Sequence, residues 1–252
     1  MASPQRSLKH EYELYVEQEI ENYKDSIPRS AILRIGDEAV QVLQRAEQPG
    51  FDEMLLCTEV DKIIRKRLRL PSYATWRRRR IKLLAEYRRP ERWGMTPDAP
   101  LVRAIPADTQ ANVLVVGTHE TGTALYLAAN GCQVTSIEDD PDWVEKVMAA
   151  AGQVGLSSRL SGRVAPMGAW YPDAPLYAVV STPAAFEHLS FEERERAIEI
   201  LKSATLDGGV HLVRTIVAGH AALNMDELRA SYVGWDVSIV EQDTFLARKN
   251  VA

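Results

Sequence analysis

The sequence predicts an α/β fold: a doubly wound, mostly parallel sheet ending in an antiparallel hairpin, preceded by an all-helical N-terminal region. Three observations carry this. Between residues 112 and 232, short apolar runs alternate with helical patterns, the signature of a parallel sheet covered on both faces. The last stretch, WDVSIVEQDTFLARKN, holds two strand-like runs with no helix between them, which reads as a hairpin. Before residue 92 the spacing is helical throughout.

A first helix is expected from Leu8 to Ile27, polar and rich in glutamate, stopped by Pro28. A second covers Ser30 to Glu47, with Ile32, Ile35, Ala39 and Leu43 on one face, and Pro49-Gly50 breaks it. A third runs from Phe51 to Arg69, where Val60, Ile63, Ile64 and Leu68 keep helical spacing. After Pro71-Ser72 a fourth presents Tyr73, Trp76, Leu83, Leu84 and Tyr87 on one face. The next stretch, RPERWGMTPDAPLVRAIPAD, has four prolines and no period, and reads as a linker or a strap laid across a surface. Strands are then expected at 112–117, 132–138, 160–165, 176–182 and 209–215. Helices are expected near 121–130, 141–154, 190–204 and 224–232, the last two opened by the capping sequences S-F-E-E and N-M-D-E. The expected division is a helical domain over 1–92, a linker over 93–108 and the α/β domain over 109–252.

Composition fits a folded chain, at 46% hydrophobic and 26% charged over 252 residues, and no apolar run reaches the ~20 residues of a membrane span. The N-terminus has no apolar signal core. Cys57 and Cys132 lie far apart, outside metal-ligand spacing, and read as reduced thiols. A cytoplasmic protein with no metal site is therefore expected. The net charge of −5 hides an asymmetry, since residues 61–92 carry 13 Lys/Arg against 3 Asp/Glu.

The stretch NVLVVGTHETGTALYLAANG (112–131) opens like a strand, turn and helix that hold a cofactor. Together with YAVVSTPAAFEHLS (177–190), LDGGVHLV (206–213), DELRASYVGWDVSIVEQ and FLARKN, it resembles the class I S-adenosylmethionine-dependent methyltransferases. Within them it is most similar to the tellurite-resistance type. The resemblance covers residues 110–250 and implies a Rossmann-like fold. It also implies S-adenosylmethionine bound at the carboxyl ends of the strands.

That family's first motif has an acid, an apolar residue, then G-x-G-x-G. Here Gly117 is kept, but Val115 stands for the acid, His119 for the second glycine and Thr121 for the third. A side chain at 119 would crowd the cofactor's path. The resemblance places Glu138, which ends the second strand in VTSIEDD, on the ribose hydroxyls; a solvated acidic turn including Asp139 is the plainer reading. After the third strand, Ala165 and Pro166 replace an expected acid. Thr118, Asp139 and Ser181 complete the implied cofactor set. His119 and Glu120 read either as a replacement polar floor or as plain turn residues. His188 reads as a general base or a loop residue. No catalytic residue is assigned.

The segment EVDKIIRKRLRLPSYATWRRRRIKLLAEYRRPERW resembles a helix-turn-helix in outline. Its second helix would turn Arg77, Arg78 and Arg79 outward while Trp76, Leu83 and Leu84 pack inward. Arg80, three residues before Leu83, is expected to pair with an acid. Such an arginine face suits nucleic acid or an acidic protein, and a clamp onto the chain's own acidic segments is the alternative. Three functions therefore stand: a methyltransferase of unknown acceptor, a catalytically inactive module of the same fold that binds partners through its basic helices, and an enzyme using another ligand in the same crevice.

Overall fold

Val113, Leu114, Val115 and Val116 are all at most 3% exposed, so the strand they form is covered on both faces. The computed structural model describes residues 7–45, 52–107, 110–118, 121–241 and 243–251. The chain divides into two units, residues 1–81 and 82–252.

In the first unit, α1 (Leu8–Ser26) starts on Ser7, whose hydroxyl accepts from the His10 amide, and ends just before Pro28. α2 (Arg29–Arg45) buries Ile35, Ala39 and Leu43 at four-residue intervals. α3 (Glu53–Arg67) is capped by Asp52 and buries Ile63 and Ile64. Ile20, Ile35, Ala39, Ile63 and Ile64 make one small core. α4 (Tyr73–Tyr87) follows, and the division of the chain falls inside it, between Ile81 and Lys82.

The boundary therefore differs from the one expected at residues 92 and 108, of which 108 lies outside the described residues. Of the two readings of the proline-rich stretch, the strap is the nearer, because the stretch carries short helices and packs on the core. Pro90 opens a one-turn 3-10 helix (Pro90–Trp93) and Pro100 opens α5 (Pro100–Ala104), each using proline at a helix start, where its missing N–H costs nothing. Leu101, Ala104 and Ile105 are buried in the main core of the second unit, with Trp93 and Met95 packed on it. Two of the four prolines that read as breaks are here helix starts.

The second unit is a seven-stranded sheet in the order β3-β2-β1-β4-β5-β7-β6. Its strands are β1 (Asn112–Val116), β2 (Gln133–Glu138), β3 (Leu160–Val164), β4 (Leu176–Ser181), β5 (Thr205–Arg214), β6 (Trp235–Val240) and β7 (Thr244–Lys249). The first five are parallel; β7 runs antiparallel to β5 and to β6. Val113 and Val115 join the core that includes α6 (Gly122–Ala129) and α7 (Pro141–Val154). Leu114 and Val116 face the opposite core with Ala197 and Leu201 of α8 (Phe191–Ala204). This alternation is the period of two that a strand imposes. α9 (Met225–Ser231) adds Leu228 to a third cluster around Phe245.

The capping box expected at Ser190 is complete, with both reciprocal bonds to Glu193. Asn224 caps α9 by accepting from the amides of Asp226 and Glu227. The fold class is thus the one read from the sequence.

β5 holds a strongly perturbed histidine. His211 is fully buried, its Nε2 2.8 Å from the Thr205 hydroxyl and its Nδ1 2.7 Å from the Tyr232 hydroxyl. The Tyr232 and Trp235 rings pack around it. Burial, with the nearby charges of Lys202 and Lys249, lowers its pKa to about 3.

Candidate cofactor crevice

Strand order reverses beside β1, which has β2 on one side and β4 on the other. In an open α/β sheet the crevice outside the carboxyl ends of such strands is where ligands sit. Gly117 follows β1 with φ +59°, a left-handed conformation that glycine adopts without cost, and its amide donates to the Ile137 carbonyl at 3.2 Å. Glu138 ends β2 and is only 4% exposed; Thr118 donates its hydroxyl to Glu138 Oε1 at 3.4 Å. The amide of Ala165, just past β3, donates to the Glu138 carbonyl at 3.0 Å.

These strand ends bring Gly117, Glu138, Asp139, Ala165 and His188 around one small cavity. Thr118 reaches it through Glu138. Ser181, at the end of β4, is 2% exposed beside Val116 and does not line the cavity. His119 and Glu120 lie outside the described residues. Val115, at the position of the missing acid, is fully buried in the core with α6. His188 is 80% exposed, with Nε2 3.9 Å from Asp139 Oδ2. Among the described residues no group of three His, Cys, Asp or Glu side chains is placed to hold a metal.

Sequence reasoning missed the wall formed by the segment after β4. Thr182 donates its hydroxyl to the Gly117 carbonyl, and Ala185 lies against Gly117. A Cβ on Gly117 would come within 2.8 Å of Ala185 Cα and closer still to its amide nitrogen. Met167 and Leu189 supply apolar surface. At the start of α6, Trp93 packs so close to Gly122 that a Cβ there would sit 3.2 Å from the indole. None of these contacts has a local signal, because each joins residues far apart in sequence. The space left in the crevice is about 40 Å³. A larger hollow of about 240 Å³ lies at the opposite, amino end of the strands, beside Thr135, Arg159 and Trp170, away from the switch point.

On α4, Arg77, Arg78 and Arg79 are exposed, and none forms an ion pair with a described residue. Arg80 is held by Glu11 at 3.2 Å, as its place beside the apolar stripe led one to expect. Trp76 is half-buried and packs against the rings of Tyr12 and Tyr15. α3 packs chiefly on α2 and makes little contact with α4, which departs from the packed helix pair of a helix-turn-helix.

No family model and no curated protein matches the chain. Solved structures do. TehB from Haemophilus influenzae is 20% identical with a TM-score of 0.51, over 64% of this chain and 65% of that one. The chain thus spans about two thirds of TehB. The N-methyltransferase NodS from Bradyrhizobium japonicum WM9 is 15% identical with a TM-score of 0.48, over 62% of this chain and all of that one. A TehB-like SAM-dependent methyltransferase from Corynebacterium glutamicum is 19% identical with a TM-score of 0.45, over 61% and 86% of the two chains. The second unit has the class I methyltransferase fold, as the strand order and the TehB match both show.

Proposed function

We propose that the second unit binds S-adenosylmethionine at the crevice of Gly117 and Glu138 and passes its methyl group to an acceptor. The observation that supports this most is Glu138. Its carboxylate is buried at the carboxyl end of β2, where two oxygens suit two vicinal ribose hydroxyls. Gly117 keeps the backbone bare beside it, and Ala165, Met167 and Leu189 offer an apolar wall for a planar base. The residue chemistry fits the nucleoside half of the group; the volume of about 40 Å³ does not, against the ~300–1,000 Å³ of ordinary ligand sites. Bound there, S-adenosylmethionine would supply an electrophilic methyl on its sulfonium. The chain's task would be to orient it and exclude water. Calorimetric titration with S-adenosylhomocysteine tests the reading. Binding should appear in the natural chain and weaken at least tenfold in Glu138→Gln, which keeps the shape and removes the charge. Equal affinity in the variant would remove Glu138 from the site.

A second reading concerns the first unit, and Arg77, Arg78 and Arg79 favour it. The Glu11 pair uses Arg80 and, among the described residues, leaves these three without a carboxylate. Exposed arginines of this kind engage phosphates bidentately, which supports a polyanionic partner, with nucleic acid preferred to an acidic protein. A fluorescent oligonucleotide should bind the natural chain with a steep salt dependence. Replacing the three arginines by alanine should cut affinity at least tenfold and flatten the salt slope by two to three counterions, at roughly one per phosphate contact. An unchanged slope would assign the binding to other residues.

A further inference from the structure

In the crevice, residue chemistry and space disagree, and the disagreement has one local cause. Backbone from the segment after β4 lies directly against Gly117, with Ala185 where a Cβ on that glycine would stand, and it walls the crevice on that side. We propose that residues 182–189 form a gate over the crevice, closed in this structure, that must swing off Gly117 before a nucleoside can enter. This rests on the reading that the nucleoside binds at Glu138.

Three ties hold the gate to three different strand ends. The Thr182 hydroxyl bonds the Gly117 carbonyl after β1. His188 meets Asp139 after β2, at 3.9 Å and largely in solvent, so this tie is weak. Glu187 pairs with His220 in the loop after β5. The segment's own turns are internal, with Ala185 N to Thr182 O at 3.1 Å and Leu189 N to Phe186 O at 3.1 Å, so it can move without losing them. Phe186, 6% exposed in the core with Ile198 and Val213, is the pivot about which the residues on either side of it turn. Ala184 and Ala185 have no bulk to refill the space once withdrawn.

Closed and open states share one protein, so the observed affinity is the intrinsic affinity reduced by the open fraction. Loosening the ties should therefore tighten binding without touching the ligand's own contacts. The test compares the natural chain with Thr182→Ala and with the surface variant Glu187→Gln, neither of which lines the cavity. The probe is S-adenosylhomocysteine. The readouts are calorimetric affinity and hydrogen exchange of the amides from Ala184 to Leu189. The gate predicts faster exchange at these amides in both variants before ligand is added, about tenfold tighter binding, and altered exchange of the natural chain on binding. Equal or weaker affinity in both variants, with exchange at 184–189 unmoved by the ligand, overturns the gate and leaves the site standing. No binding by any of the three folded proteins overturns the site and the gate together.

Discussion

Acidification from pH 7 towards pH 4 should strip this protein of much of its stability, with His211 as the main cause. An exposed histidine titrates near 6.5, whereas His211 in the folded chain is held at about 3. Between those values the unfolded chain takes up a proton that the folded chain refuses. The contribution is therefore complete above pH 6.5 and is lost as the pH falls towards 3. At ~1.4 kcal/mol per unit of separation, the full loss is on the order of 4–5 kcal/mol, a large share of the ~5–15 kcal/mol that holds a typical domain together. Urea midpoints measured at pH 7.5, 5.5 and 4.5 should fall steadily in the natural chain. In His211→Gln the slope should flatten, because the side chain that refuses the proton is gone. The variant should also lose ~1–3 kcal/mol at neutral pH, since the Thr205 and Tyr232 hydroxyls would be less well partnered. A slope as steep in the variant as in the natural chain would move the acid sensitivity to other groups.

Replacing Gly117 by valine should abolish nucleoside binding and visibly destabilise the second unit. Two costs add at this position. The φ of +59° is one that a β-branched residue adopts only with strain of ~1–2 kcal/mol. The new Cβ would also meet Ala185 backbone, which cannot rotate aside as a side chain would. A loss of ~2–4 kcal/mol is expected, read as a drop of several degrees in thermal midpoint. S-adenosylhomocysteine affinity should fall beyond detection in protein that circular dichroism shows to be folded. Retained affinity would place the ligand away from the β1 turn.

Period and capping carried most of the fold. The unbroken apolar run Val113–Val116 announced a strand covered on both faces, and S-F-E-E placed the start of α8 to the residue. Arg80 was legible because its spacing from Leu83 put a charge beside an apolar stripe, and such a charge needs a partner. The two short helices of the proline-rich stretch were not legible because Pro90 and Pro100 look alike whether they end a helix or begin one. Burial decides which, and burial depends on the rest of the chain. The crevice was legible at Gly117 and Glu138, which sit at strand ends in a known rhythm. It was not legible at Ala185, some seventy residues beyond Gly117, where two small residues carry no sign of the backbone they bring with them. His211 was hidden in the same way, since in LDGGVHLV it occupies one more position of an apolar strand. Only the fold shows Thr205 and Tyr232 on either side of it.

The strand order has a consequence for how the protein is made. β7 lies between β5 and β6, so β5 gains its outer neighbour only when residues 244–249 arrive, about 30 residues after β5 ends. At ribosomal rates of ~5–20 residues per second this is a delay of about 2–6 s. Throughout it the hydrogen-bonding edge of β5 from Val210 to Arg214 stands open. A nascent chain with an open edge is a template for any other strand nearby, including its counterpart on the next ribosome of the same message. Yield in a host should therefore depend on translation speed between Arg214 and Thr244 and on chaperone supply, more than on the equilibrium stability of the finished fold.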